Sequence, residues 1–563
     1  MIFNLLKSFF IIIIFLLYQS PSYSKVTDNK EFNQRYLSNY FSALVSYDNQ
    51  NNKKALKFFN LSKPVLRKHN NYLEEYVFSL IAGGEYSKAV KQVNYWQNHE
   101  NSNFFEARLI LILDSLRKKN FVDASKFIND LKFFKEMGTY ELVIYETLKS
   151  YIYLFKNKKI NKKNNNFGQL SLITNSFQNC YLNSNKTKAN FLNLINSKDA
   201  DYSRYLFFYL SSIVENQQYE IVREISSTID PIRSSLLVAQ TKKWIDKSDF
   251  KKFKNYFSCK SETDILAEFF FLIANLHASQ ENYNQSNFYL NISNFLNPKF
   301  YYNLSLLAEN YFQSKNYDLA RNLLEKFDRD DETYYWYRIK KIGQIIAEKD
   351  NDEDSLNFIE KNFNEFEKPS IEILFDMGNI YKRLKKYENS IKLYSNILPK
   401  LKQNSEAYAD VLYRRGGSFE RLGKYEEADN DLLKSLEISP GDPYVANYLA
   451  YSWLERKYKI NIAIKMLDEA YKQKKDDPYI IDSVGWGYYL IGDYINAEKY
   501  LKLALQLMPD DPIVNDHYGD TLWMLDQKLQ AKYFWKNVLN LEETEEEMKN
   551  KIKQKLLFGP DKT

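Results

Sequence analysis

A small residue recurs at a nearly constant spacing along the second half of the chain, and this repeat constrains the fold more than any other feature. Successive positions lie 34 to 38 residues apart. They are Ser286, Ala320, Ser355, Ser390, Ala428, Ala463, Ala497 and Ala531. A fixed period in this range is typical of a solenoid in which similar helical pairs stack side by side. The sequence therefore predicts an all-α fold built from repeated helix-turn-helix units.

The residues around each small position indicate how a unit packs. In the clearest unit, Gly485 precedes Gly492 at a turn, then Ala497 and finally Pro509. We expect Gly485 and Ala497 where the two helices of the unit cross, because larger side chains would hold the backbones apart. Gly492 can adopt the left-handed conformation that ends a helix, and Pro509 stops the second helix before the next unit begins.

This pattern resembles the tetratricopeptide repeat, whose units carry small, aromatic and proline residues at the same offsets. The resemblance implies a right-handed superhelical solenoid of helix-turn-helix repeats. It assigns the following residues to structural repeat positions: Gly378, Gly416, Gly485, Gly519, Ala320, Ala428, Ala463, Ala497 and Ala531. Tetratricopeptide arrays are generally scaffolds that bind other proteins, and the resemblance implies that role here without naming a partner.

The repeat signal varies along the chain and predicts five regions. The same phase occurs near the N-terminus at Ala55, Ala89 and Ala124, and it decays after about residue 130. The predicted regions are a signal peptide (1–24), N-terminal units (25–130), degenerate helical repeats (131–263), a well-formed array (264–541), and a C-terminal capping helix and tail (542–563). The capping helix is indicated by acidic residues that give way to lysines, which suits the helix dipole.

The first residues have the pattern of an export signal. Lys7 precedes the apolar run Phe9–Tyr18, and Ser22 and Ser24 are small residues suited to cleavage by a signal peptidase. Ten apolar residues are too few to span a bilayer as a helix. The pattern predicts export to the periplasm or to the periplasmic face of a Gram-negative envelope. An uncleaved anchor that begins at Ile2 remains an alternative.

The two cysteines, Cys180 and Cys259, are the only ones in the chain. An oxidising compartment would favour a disulfide between them. By the repeat phase, however, they lie two units apart in a stack whose layers are about 10 Å thick, which exceeds the Cα separation of about 7 Å that a disulfide tolerates. The sequence therefore predicts two free, mostly buried thiols.

No catalytic or metal-binding motif emerges from the sequence. The four histidines, His69, His99, His277 and His517, fall in different units, and nothing in their spacing brings two of them to one helix face. We therefore predict no catalytic residue, no metal and no cofactor. The lysine-rich run Lys156–Lys163 is interpreted as a solvated insertion rather than an anion-binding site, and the expected export argues against a nucleic-acid partner.

The resemblance also predicts which residues face the concave surface, at the second, fifth, ninth and twelfth positions of each first helix. These candidate partner-binding residues are Tyr444, Asn447, Tyr451, Tyr479, Asp482, Trp486, Tyr489, Asp516, Asp520 and Trp523. Aromatic walls with an acidic strip suit a peptide segment that carries apolar and basic groups. The alternative is that Trp486 and Trp523 simply pack against the first helix of the next unit.

The sequence thus predicts a non-catalytic periplasmic scaffold that binds another envelope protein or peptide segment through its concave face. The C-terminal units are similar to those of large exported repeat proteins of Gram-negative bacteria, which implies envelope assembly in general. A structural component of a secretion, pilus or polysaccharide-export assembly is a second hypothesis. An enzyme remains a third, if residues 131–263 conceal a catalytic domain. Any membrane association would come through a partner, and the sequence indicates no oligomeric state.

Overall fold

The computed structural model describes residues 33–67, 69, 71–97, 102–131, 138–161, 166–197, 201–542 and 544–560. These residues form thirty α-helices and no strand, which confirms the predicted all-α solenoid class. No helix in this part of the chain is long and apolar enough to cross a membrane. The predicted signal peptide, His99 and part of the lysine-rich run lie outside the described residues.

The chain divides into two compact units. Unit 1 contains the described residues up to 228 together with 235–345, and unit 2 contains 229–234 together with 346–560. The helices of unit 1 are α1 (Gln34–Asp48), α2 (Asn52–Leu61), α3 (Tyr72–Ala82), α4 (Tyr86–Trp96), α5 (Phe105–Arg117), α6 (Phe121–Asp130), α7 (Thr139–Asn157), α8 (Gln169–Tyr181), α9 (Thr187–Ile195), α10 (Tyr205–Glu215), α11 (Tyr219–Ser226), α12 (Leu236–Asp246), α13 (Lys251–Tyr256), α14 (Glu262–Ala278), α15 (Tyr283–Leu296), α16 (Leu304–Gln313), α17 (Tyr317–Leu324) and most of α18 (Glu332–Lys349).

Unit 1 folds back on itself. Consecutive helices pack in pairs, as in α1–α2, α5–α6 and α14–α15, but α15 also packs on α3 and α14 on α5. The contacts of α15 are aromatic: the ring centroids of Phe78 on α3 and Phe288 are 4.5 Å apart, and the ring of Tyr86 at the start of α4 stacks on that of Phe295 at 3.6 Å. The N-terminal pairs are therefore covered by later helices of the same unit.

The two cysteines form a disulfide, so the prediction of two free thiols was wrong. Cys180 lies at the end of α8 and Cys259 in the turn before α14, and their Cα atoms are 5.7 Å apart. The expected separation assumed a regular stack, but the chain after α13 turns back toward α8. Phe257 in this segment packs against Phe177 and Phe208, with ring centroids 5.9 and 4.7 Å away. Packing of these rings brings the two cysteines together.

Unit 2 contains the most regular helical pairs. Its helices are α19 (Asp352–Phe363), α20 (Ile371–Arg383), α21 (Tyr387–Ile397), α22 (Glu406–Arg421), α23 (Tyr425–Ile438), α24 (Pro443–Glu455), α25 (Ile460–Gln473), α26 (Pro478–Leu490), α27 (Tyr494–Leu507), α28 (Pro512–Met524), α29 (Lys528–Asn540) and α30 (Glu546–Phe558). From α20 to α29 the helices pack as five successive pairs, and α30 packs against α29.

The first helices of the last three pairs begin with the same local chemistry. Asp442, Asp477 and Asp511 are N-caps, each followed by a proline at the first helical position. Each aspartate accepts hydrogen bonds from the backbone N–H groups of the second and third helical residues. The cap satisfies donors that would otherwise lack partners, and proline needs no donor there. Repetition of this start sets α24, α26 and α28 in the same register.

The small repeat residues lie at the helix crossings of each pair. Gly485 on α26 faces Leu501 on α27, where an added Cβ would lie 2.6 Å from Leu501 Cγ. Gly378, Gly416 and Gly519 make similarly close approaches to side chains of their partner helices. The repeat alanines at 320, 428, 463, 497 and 531 are at most 1% exposed. Small side chains therefore permit the close approach of the two helices in each pair.

Substitution of Ala497 by leucine should destabilise unit 2 by about 1–3 kcal/mol, because the extra methylenes must enter a filled helix crossing. Ala497 is 0% exposed, whereas Ile495, two residues earlier, is 76% exposed. Ile495→Leu is therefore a matched control that should change stability little. Urea unfolding followed by circular dichroism measures both variants, and equal stabilities would show that the assigned crossing is incorrect.

Candidate partner-binding groove

We use the term groove for the surface formed by the predicted inner-face positions of α24, α26 and α28. Two of its aromatic residues, Tyr444 and Tyr479, are 46% and 64% exposed. Asn447, Tyr451, Trp486, Asp516 and Trp523 are partly buried, and Asp482, Tyr489 and Asp520 are buried. The ten predicted residues thus lie on neighbouring first helices, but of these ten only Tyr444 and Tyr479 present large exposed surfaces.

A buried aspartate–histidine pair joins α26 to α28. Nδ1 of His517 lies 3.0 and 3.1 Å from the two carboxylate oxygens of Asp482. The His517 ring stacks on Trp486 with centroids 4.0 Å apart, and the Trp486 indole N–H donates to Glu455 at 2.6 Å. Burial alone would lower the pKa of His517, but the charge of Asp482 and its hydrogen bond outweigh burial, so that the pKa is raised.

Sequence reasoning missed the pairing of His517. His517 and Asp482 are 35 positions apart, which is one repeat period. That spacing is the signal that could have linked them, since residues one period apart lie on adjacent first helices. Trp486 on α26 packs against His517 of the next first helix, α28. This contact is the one that the alternative interpretation of Trp486 anticipated.

The C-terminal helix α30 covers the acidic end of the groove. Nζ of Lys555 lies 2.7 Å from Asp516 Oδ1 and 2.7 Å from Asp520 Oδ2. Just after the helix, Gly559 lies so close to Trp523 that an added Cβ would approach the indole to 2.6 Å. The acidic strip predicted to receive a basic partner segment is therefore occupied by a lysine of the same chain.

Comparison with known proteins identifies the repeats that form the first two pairs of unit 2. The model of the family described as "Tetratricopeptide repeat" matches residues 371–398 and 409–442, which correspond to the α20–α21 and α22–α23 pairs. The chain contains tetratricopeptide repeats. A Pseudomonas aeruginosa protein, "TPR repeat-containing protein PA4667", is 32% identical over 129 residues, covering 23% of this chain and 22% of that protein. The match thus spans about a fifth of the relative's length.

Solved tetratricopeptide structures are similar to parts of the chain. A Parabacteroides merdae tetratricopeptide repeat protein covers 45% of this chain and 97% of its own, with 16% identity and a TM-score of 0.38. A thermophilic tetratricopeptide protein from Thermus thermophilus covers 33% and 100%, with 18% identity and a TM-score of 0.30. These likenesses concern the fold alone. Tetratricopeptide proteins are, in general, scaffolds for protein interaction.

The charges of the last helical pair are mutually compensated. Burial and repulsion by Asp516 raise the pKa of Asp520, although Lys555 and His517 attract its charged form. Burial would lower the pKa of Lys555, but the two carboxylates outweigh burial and raise it. The Trp535 indole N–H also donates to Asp520, at 3.1 Å. Because these groups satisfy one another, this end of the array offers little uncompensated negative charge.

Substitution of Lys555 by methionine should loosen α30 and cost about 1–2 kcal/mol, because Asp516 and Asp520 would lose a shared donor. The pKa of Asp520 is raised in the folded state, and Lys555 stabilises only its charged form. The stability lost on substitution should therefore grow as pH rises through this pKa, because Asp520 then becomes charged without its cation. Hydrogen exchange of residues 546–558 at pH 5 and pH 8 measures the effect. Lys551→Met is the control, since Lys551 forms an exposed pair with Glu547; equal exchange in the two variants would contradict the assigned role.

Proposed function

We propose that the protein is a non-catalytic, exported scaffold that binds another envelope protein in the groove of unit 2. The observation that carries this proposal is the exposure of Tyr444 and Tyr479 on successive first helices of a tetratricopeptide array. Exposed aromatic side chains on a rigid surface supply large contact area at little entropic cost and are enriched among residues that dominate binding energy. The general use of this fold as a protein-interaction scaffold supports the same role.

Location in the periplasm is part of the proposal. The disulfide between Cys180 and Cys259 supports it, because disulfides persist in oxidising compartments and are rare in the cytosol. The signal-peptide pattern of residues 1–24 supports it independently. Fractionation of the native cells, with alkylation of thiols before lysis, tests the location. A cytosolic protein with two alkylated cysteines would contradict it.

The scaffold role is favoured over a concealed enzyme by the form of the central region. The described residues between 138 and 263 form α7 to α13 and the turns that join them, without a strand. These helices continue the helical-pair architecture, as α8–α9 and α10–α11 pack against each other. This form supports the interpretation of the region as divergent repeats.

A photo-crosslinking amino acid placed at Tyr479 tests the groove directly. Tyr533 is the matched control, because it is 68% exposed but lies on α29, a second helix. We expect a discrete protein crosslink from position 479 in native cells and none of the same mass from position 533. The Tyr444→Ala/Tyr479→Ala variant should weaken binding of the crosslinked protein at least about tenfold while its unfolding curve stays unchanged. Equal crosslinks from both positions would contradict the proposal.

A further inference from the structure

A partly buried lysine lies between two tyrosine rings at the other end of unit 2. Nζ of Lys382, near the end of α20, is 5.8 Å from the ring centroid of Tyr413 and 5.7 Å from that of Tyr448. The backbone of Gly417 lies directly against this ammonium group, since an added Cβ at Gly417 would lie 2.6 Å from the lysine Nζ. Tyr413 and Gly417 lie 34 residues, one repeat period, before the inner-face residues Asn447 and Tyr451, so these positions of α22 continue the groove.

Arg414 places a second cation beside this lysine. Its guanidinium carbon is 5.4 Å from the Tyr413 ring centroid, and its Nε is buried without a hydrogen-bond partner. An unsatisfied buried donor on a charged group is costly, since it has lost its hydration without gaining an acceptor. Within the described part of unit 2, the side chains of Lys382 and Arg414 donate no hydrogen bond and form no ion pair.

Among the described residues, no ion pair joins either cation to a carboxylate. Of the charges that act on Lys382, those of Arg414 and Arg421 disfavour its ammonium form and that of Glu420 favours it. The Glu420 carboxylate accepts a hydrogen bond from Tyr448 at 3.0 Å and lies 3.6 Å from Nε of Arg421. Glu420 is thus shared with Tyr448 and Arg421. By contrast, the carboxylates of α26 and α28 are paired with His517 and Lys555. Among the described residues, Lys382 and Arg414 therefore have no paired carboxylate.

We propose that Lys382 and Arg414 form a binding site for an aspartate or glutamate side chain in an extended acidic segment of the partner protein. The inference rests on the proposed scaffold function and deepens it, because it specifies the charge of the bound segment. It reverses the expectation of a basic ligand. Arginine and lysine side chains donate charge-assisted hydrogen bonds to carboxylates, and the Tyr413 and Tyr448 rings offer apolar contact to the rest of the segment.

The ionisation of Lys382 supports this site. Burial, with the charges of Arg414 and Arg421, lowers its pKa to about 8, while Glu420 opposes this effect. A bound carboxylate would favour the ammonium form and raise this pKa. Binding of an acidic segment should therefore weaken as pH rises through about 8, where the free lysine loses its charge.

The experiment uses the full chain and a phage-displayed library of random dodecapeptides. Peptides that bind the protein but not the Tyr444→Ala/Tyr479→Ala variant are synthesised with acetylated N-termini and amidated C-termini. Their affinities are measured for the parent protein, for Lys382→Met/Arg414→Met, and for Lys434→Gln. Lys434 is an exposed lysine on α23 that pairs with Glu437, so it provides a matched loss of charge outside the groove.

We expect the selected peptides to share an acidic residue and to bind about 10- to 100-fold more weakly to the double variant, with no change for Lys434→Gln. Nitrogen NMR of the Lys382 side chain should show its pKa rising when a peptide binds, which a purely structural role would not produce. Peptides that are basic or neutral, or that bind the double variant normally, would overturn the acidic-segment inference while leaving the scaffold function intact. Loss of binding on amidation would overturn it in favour of a terminal carboxylate. Failure to recover any groove-dependent peptide would overturn the groove itself as a peptide receptor.

Discussion

Substitution of Arg204 by methionine is expected to destabilise unit 1 by about 3–5 kcal/mol, because it leaves a buried carboxylate without its cation. Arg204 donates two parallel hydrogen bonds to Glu268, both 2.8 Å long, and a third to Asn303 at 2.6 Å. The Glu268 side chain is only 2% exposed. The guanidinium carbon also lies 3.9 Å from the ring centroid of Phe271. One side chain thus links α10, α14 and the start of α16.

The pH dependence of the Arg204→Met variant has a definite sign. Burial raises the pKa of Glu268 even while Arg204 opposes that effect. Without the arginine the folded state holds the proton more strongly than the unfolded state does, so the stability of the variant should fall as pH rises. Denaturant unfolding at pH 5 and pH 8 measures this difference. A variant that is equally stable at both values would contradict the interpretation of the pair.

A second substitution separates the lost ion pair from lost packing volume. In Arg204→Met/Glu268→Leu both charges are absent, and apolar groups can fill much of the same space. Buried ion pairs replaced in this way often retain or exceed the original stability. We therefore expect the double variant to recover most of the loss, apart from the contribution of Asn303. Failure to recover any of it would indicate that shape, not charge, dominates at this site.

Removal of the disulfide with Cys180→Ser/Cys259→Ser is expected to lower the stability of unit 1 by about 4 kcal/mol, because the bond restricts the unfolded chain substantially. It closes a loop with a sequence separation of 79 residues. Thermal unfolding of oxidised parent protein, reduced parent protein and the double-serine variant measures the effect. The reduced parent and the variant should unfold at similar temperatures, both well below the oxidised parent.

Thiol counting provides the decisive control for this prediction. Alkylation of the purified protein under denaturing conditions without reductant should leave its mass unchanged, and prior reduction should allow two additions. Two additions without reductant would show that the cysteines are free, as the regular repeat spacing suggested. In that case the packing of Phe257 against α8 would also require revision.

The repeat positions could be predicted because they depend on local chemistry repeated at a fixed period. Each helix crossing requires a small side chain, whatever the path of the rest of the chain. Gly485 and Ala497 are therefore recognisable without knowledge of the side chains packed around them. The same holds for the Asp-Pro starts of α24, α26 and α28. The inner-face positions follow from the same register, and their role in partner binding stays a prediction.

The state of the groove could not be predicted in this way. In the sequence nothing pairs Asp516 and Asp520 with a cation. In the structure Lys555, more than thirty residues later, donates hydrogen bonds to both. Conversely, Lys382 and Arg414 show no motif, and their lack of partners becomes visible only when the surrounding side chains are placed. Whether a charge is free depends on contacts between helical pairs, which a repeat period does not specify.

By itself, the sequence determined the all-helical repeat architecture, because the spacing of small residues and helix caps is a property of each helical pair and its nearest neighbour. Only the tertiary structure decided how the pairs depart from a regular stack. The packing of α14 and α15 on α5 and α3, the Cys180–Cys259 bond and the position of α30 all join residues far apart in the chain. Such contacts depend on accumulated small rotations between pairs and on long-range aromatic and ionic packing, and no local pattern encodes their outcome.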